Sequence, residues 1–120
     1  MKTKELSDGE LRLMKLVWDN PGITSSQLVK LCKRQLGWEK STVYTVLKRA
    51  AQKGFVQNVD GVVSALVAKA EAEKDYGDRL VNEMFSGSLP GFIAAFMQDK
   101  KLTKEQAQTL KELIDSYTEE

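Results

Sequence analysis

The hydrophobic period of this chain changes at Gly54, and that change narrows the folds open to it. Up to Lys53 the apolar residues recur at helical spacing. Beyond it come two β-branched and aromatic runs, Phe55–Val59 and Val62–Val67, split by Asp60-Gly61. An Asp-Gly pair between such runs predicts a tight hairpin, because the favoured two-residue turn needs positive φ at both positions. Helix starts are marked just as locally. Ser7 with Glu10, Thr24 with Gln27 and Thr103 with Gln106 each place a hydroxyl three residues before a Glu or Gln. That is the capping-box spacing, in which each side chain satisfies the other residue's backbone N–H. Leu6 with Leu11, and Ile23 with Leu28, supply the apolar staple beside the first two.

The expected order is therefore helix, helix, helix, hairpin, and then three more helices. The first spans 8–19, with Leu11, Met14, Val17 and Trp18 inward, and stops at Asn20-Pro21-Gly22. The second spans 25–36 with Leu28, Leu31, Cys32 and Leu36 inward, and Gly37 suits a left-handed cap. The third opens after Trp38, packed on Val43, and buries Val43, Val46, Leu47 and Ala50. The later helices are expected at 71–86, 89–98 and 104–118. The fold class is mainly α with a small β-hairpin: a winged helix-turn-helix over 1–69, followed by a three-helix domain over 70–120.

Composition removes whole classes of chemistry. The 120 residues include no histidine and one cysteine, Cys32. Imidazole catalysis, His-ligated metals, an internal disulfide and a paired-cysteine metal knuckle are excluded, and Cys32 reads as a small core residue. The acidic pairs Glu71/Glu73 and Glu119/Glu120 have no partner acid, base or metal motif beside them. No enzyme, cofactor or metal is expected. Apolar stretches are a few residues long and the N-terminal MKTKELSDGE is polar, so the expectation is a cytoplasmic protein with no membrane partner.

Charge is unevenly distributed. Residues 1–68 hold 11 Lys and Arg against 6 Asp and Glu, whereas residues 69–120 hold 7 against 11. Within 24–54 the ratio is 7 to 1. This is the pattern of a half that faces a polyanion joined to a half that stays off it. Projected at 100° per residue, the outer sector of the third helix carries Ser41, Thr45, Lys48 and Gln52, flanked by Tyr44 and Arg49. No carboxylate stands among them, unlike a solvated helix that alternates Glu with Lys. Cations, an amide and hydroxyls can bond base edges and phosphates in a major groove.

The segments Leu11-x-x-Met14-x-x-Val17-Trp18, Gly37-Trp38 through Ser41-Thr42-Val43-x-Thr45-x-Leu47-x-Arg49, and Lys53-Gly54 resemble the penicillinase repressor family (BlaI/MecI/CopY type). Leu80-x-x-x-Met84-Phe85-x-Gly87-Ser88 and the run from Leu102-Thr103 to Leu110-x-x-Leu113-Ile114 are similar too, so the resemblance covers about 6–118. It implies a dimeric winged-helix repressor with a C-terminal dimerisation domain. It also implies DNA contact at Thr42, Thr45 and Arg49, with Ser41 where a lysine is common. Three positions depart from the family pattern. The segment Gly61–Leu66 lacks the usual basic and aromatic wing residues. Ala95-Phe96 stands where protease-inactivated members carry Asn-Phe. The C-terminal cysteine cluster of copper-responsive members is missing.

These observations converge on a sequence-specific repressor acting as a homodimer on a palindromic, double-stranded operator. Ser41, Thr42, Tyr44, Thr45, Lys48 and Arg49 are the expected base contacts, and Lys30, Lys33, Arg34, Lys40, Gln52 and Lys53 the phosphate contacts. The later helices carry three apolar stripes. Tyr76, Leu80, Met84 and Phe85 make one, Phe92, Ile93 and Phe96 the second, and Leu110, Leu113, Ile114 and Tyr117 the third. A unit of ~50 residues cannot bury three such faces by itself, so these residues are the expected dimer interface. Met84 and Met97 are expected to fill core. Two alternatives stay open: a winged-helix protein-interaction module that has lost DNA binding, and a regulator sensing a small molecule near Tyr76, Phe92 and Phe96. An effector or an inactivating protease remains a possible further partner.

Overall fold

The structure is a computed structural model that describes residues 5–119; the outer ends of the two expected domains, residues 1–4 and Glu120, lie outside them. Its order is α1 (Asp8–Asp19), α2 (Ser25–Leu36), α3 (Lys40–Gln52), β1 (Val56–Val59), β2 (Val62–Ala65), α4 (Lys69–Phe85), α5 (Leu89–Met97) and α6 (Lys104–Ser116). All three capping boxes form, on Ser7, Thr24 and Thr103. Gly37 ends α2 in the left-handed region at φ 71°, where a side chain would strain the backbone.

The chain divides into two compact units, residues 1–80 and 81–120, with the division inside α4. In the first unit α1, α2 and α3 enclose a core of Leu13, Met14, Val17, Leu28, Cys32, Val43, Leu47 and Ala50. Val56 and Val63 close it from the hairpin and Ala72 from α4. Cys32 is fully buried, and desolvation pushes its thiol up to about 11, so it is inert packing. Asp60 and Gly61 both take positive φ, 52° and 79°, as the sequence requires of this turn. The hairpin pairs Val56 with Ala65 through Val59 with Val62. It also gains a third edge. Thr24 bridges Val62, the Val63 N–H donates to the Ile23 carbonyl at 2.9 Å, and the Ser25 N–H donates to the Gly61 carbonyl at 2.8 Å. The wing is thus bonded to the start of α2.

The buried face of α1 is rotated from the expected one. Leu13 is fully buried, while Leu11 and Trp18 sit half-buried at the edges. Trp18 Nε1 donates to the Val67 carbonyl at 3.0 Å, a bond that needs the ring at the rim. The inward position is taken by Glu10, only 3% exposed. Trp38, expected to staple onto Val43, packs into the cluster with its ring over Gly9.

Glu10 is held by three groups. Its carboxylate accepts from the Ser7 N–H at 3.0 Å and from Lys53 Nζ at 2.6 Å, while its own N–H donates to Ser7 Oγ at 3.2 Å. Burial pushes the carboxyl up, but the Lys53 and Ser7 bonds outweigh it and leave its pKa below the ordinary 4.5. A depressed carboxyl contributes stability that is present above its unfolded pKa and lost as pH falls through the folded one. Glu10→Gln is therefore expected to lower the unfolding free energy by about 1–3 kcal/mol at neutral pH. Urea melts of the two proteins should converge as the pH drops below the ordinary carboxyl range.

In the second unit no side chain of the described residues is fully buried. Phe85 meets Phe92 edge-on at 5.4 Å, and Phe92 stacks on Phe96 at 6.0 Å. Met84, expected in a core, is 69% exposed in this chain.

Candidate nucleic-acid interface

Helix α3 turns Val43, Leu47 and Ala50 into the core and Val46 to its edge. The 3.6-residue repeat then leaves Ser41, Thr42, Tyr44, Thr45, Lys48, Arg49 and Gln52 on the outside, all exposed. Tyr44, the large apolar ring among them, is 38% exposed. Among the described residues none of these seven side chains makes a hydrogen bond or an ion pair within the chain. The result is a ridge of unspent donors and one phenol, carried on a helix whose back is locked in the core.

The flanking cations differ in how free they are. Lys30, Arg34 and Lys40 are exposed, the first two on α2 and the third opening α3. Lys33 is paired: its Nζ lies 3.2 and 3.4 Å from the two carboxylate oxygens of Glu39. Both groups are more than half exposed, so the pair is weak and a phosphate can displace the carboxylate. Lys53, expected to contact phosphate, is the most engaged of them: its ammonium donates to Glu10 at 2.6 Å and to the Glu5 carbonyl at 2.7 Å.

Glu39 was not legible as a site residue, although it is the lone acid within 24–54. It occupies the N-cap position of α3 without making a side-chain cap bond. The first-turn N–H groups of α3 are therefore left without that partner, beside Lys40 and with no acidic residue in the turn. Tyr76, expected at a dimer interface, donates its hydroxyl to Asp8 within the first unit. The other stripe residues stay accessible: Phe96 is 57% exposed, Ile114 55% and Tyr117 83%, with Leu110 and Leu113 open beside them. Tyr76 on one side, and Phe92 with Phe96 on the other, belong to different compact units.

Among the described residues no group of three or more His, Cys, Asp or Glu is placed to hold a metal ion, and no helix is long and apolar enough to cross a membrane. The family model described as penicillinase repressor matches residues 6–116. The chain belongs to the penicillinase repressor family. Among curated relatives, the penicillinase repressor of Bacillus licheniformis is 24% identical over 121 residues, covering 97% of this chain and 94% of its own. The methicillin resistance regulatory protein MecI of Staphylococcus aureus (strain N315) is 20% identical over 118 residues, covering 95% and 96%. Two solved structures are similar to part of the chain: the DNA-binding domain of the repressor BlaI, and the monomeric form of Bacillus licheniformis BlaI in complex with the blaP half-operator. Their TM-scores are 0.52 and 0.51; each is 26% identical and covers 58% of this chain and 90% of its own. As a penicillinase repressor family member the chain is mostly helical, with a two-stranded antiparallel hairpin forming its wing.

Proposed function

We propose that this penicillinase repressor family member is a sequence-specific DNA-binding transcriptional repressor that acts in the cytoplasm, as a homodimer on a palindromic operator. The observation that carries this is the exposed, carboxylate-free ridge of α3, Ser41 to Gln52. BlaI, which shares the winged-helix fold at 26% identity, has been solved on a half-operator, and that supports the same use of the ridge here.

In this reading Ser41, Thr42, Tyr44, Thr45, Lys48 and Arg49 reach base edges from the major groove, and Lys30, Arg34, Lys40 and Gln52 hold phosphates. Lys33 joins them by exchanging Glu39 for a phosphate oxygen. The exposed stripes of the second unit pair two protomers across a two-fold axis, which matches a palindrome. Repression follows from occupying an operator that overlaps a promoter. The wing contributes little charge, since Val59, Val62 and Leu66 are its exposed apolar residues.

Titrating a labelled duplex against NaCl tests the reading. About 6–10 phosphate contacts per dimer predict a log–log slope near −5 or steeper. A slope near zero would instead favour a protein-binding module working through the apolar wing.

A further inference from the structure

The first half of α4 is fastened to the winged helix by a polar cluster that neither the core nor the α3 ridge uses. Ala72, buried in the core, sets the helix down. One turn on, the Tyr76 hydroxyl donates to Asp8, the first residue of α1. In the next turn the Arg79 guanidinium lies 5.1 Å from the Tyr76 ring centroid. Arg79 Nη2 donates to the Leu6 carbonyl at 2.6 Å, and its Nε lies 3.4 Å from Glu5 Oε2. Residues 72, 76 and 79 form one helical stripe, so all three act on the same contact line.

Among the described residues Ala72 is the one buried side chain of α4, so apolar interlock along the helix is sparse. A cavity of about 260 Å³ opens between α4 and the segments around Leu6 and Phe55, lined also by Tyr76 and Arg79. A close-packed interface sets its angle by shape, whereas a gapped one leaves the angle to its directional polar bonds. We propose that Tyr76 and Arg79 determine operator spacing: by fixing the direction of α4 on the winged helix, they set the half-site separation that the dimer accepts. The proposal rests on the dimeric, operator-binding reading above. In a dimer the second half-site is bound intramolecularly, at an effective concentration that is greatest where the geometry matches and falls away from it. Each added base pair moves a half-site by about 3.4 Å and rotates it by roughly 35°. A fastened α4 therefore selects one spacing, and an unfastened one accepts several, each more weakly.

The test uses full-length protein and duplexes carrying a selected half-site alone, or two copies at the selected spacing and displaced by one or two base pairs. Wild type should prefer one spacing by about tenfold or more, and Y76F/R79M should flatten that preference to within about threefold, with weaker binding at the matched spacing. Half-site affinity and sedimentation mass should be equal in the two proteins. Tyr76→Phe alone removes one hydrogen bond at the surface and should flatten the profile in the same direction if the double variant folds poorly. A spacing profile unchanged in both variants, with dimer and half-site binding intact, overturns the proposal. Loss of half-site binding or of the dimer in wild type would instead overturn the functional reading beneath it.

Discussion

Arg49→Ala is expected to weaken operator binding by about 1–3 kcal/mol, roughly 5- to 150-fold, and to relax preference at one base position. The magnitude follows from where Arg49 sits. It is exposed on α3, has no partner among the described residues, and stands one turn beyond Thr45 on a helix anchored by Leu47 and Ala50. A guanidinium in that position presents a planar pair of donors to the two acceptors of a guanine edge. Arg34→Ala is the matched control, since a cation on α2 that meets only phosphate should weaken selected and random duplex alike. Binding measured on both duplexes at fixed salt separates the two roles. Equal loss on both by Arg49→Ala would remove that residue from base readout.

The second large effect lies in α6. Leu110→Asp with Leu113→Asp should leave a single chain nearly as stable as before, because both leucines already face water in it. A dimer that buries them would have to bury two carboxylates per protomer instead, which is costly without partners. Sedimentation should show monomer. Affinity for the full operator should fall by about 10²–10⁴, the avidity gained by linking two half-site contacts, while half-site affinity stays the same. A dimer that survives both substitutions would place the interface elsewhere than on the α6 stripe.

The signals legible in the sequence were the local ones. A capping box spans three residues and a hairpin turn two, so Ser7/Glu10, Thr24/Gln27, Thr103/Gln106 and Asp60-Gly61 specify their own geometry. The outer sector of α3 was legible for the same reason, because helical periodicity alone decides which of its residues face out. What escaped was set by distant partners. Lys53 reads as a free cation beside a basic helix until Glu10, 43 residues away, takes it. Tyr76 reads as part of an apolar stripe until Asp8, 68 residues away, accepts its hydroxyl. The face of α1 escaped for the same reason, since a charged residue such as Glu10 turns inward only where Ser7 and the distant Lys53 satisfy it.

The central claim is that the outer ridge of α3 enters the major groove. Isotope-labelled full-length protein titrated with its selected duplex addresses it most directly, through the amide shifts of each residue. The account predicts the largest perturbations at Ser41, Thr45, Lys48 and Arg49, with the second unit changing little. Perturbations confined to the hairpin or to α6, with the α3 ridge unmoved, would contradict it.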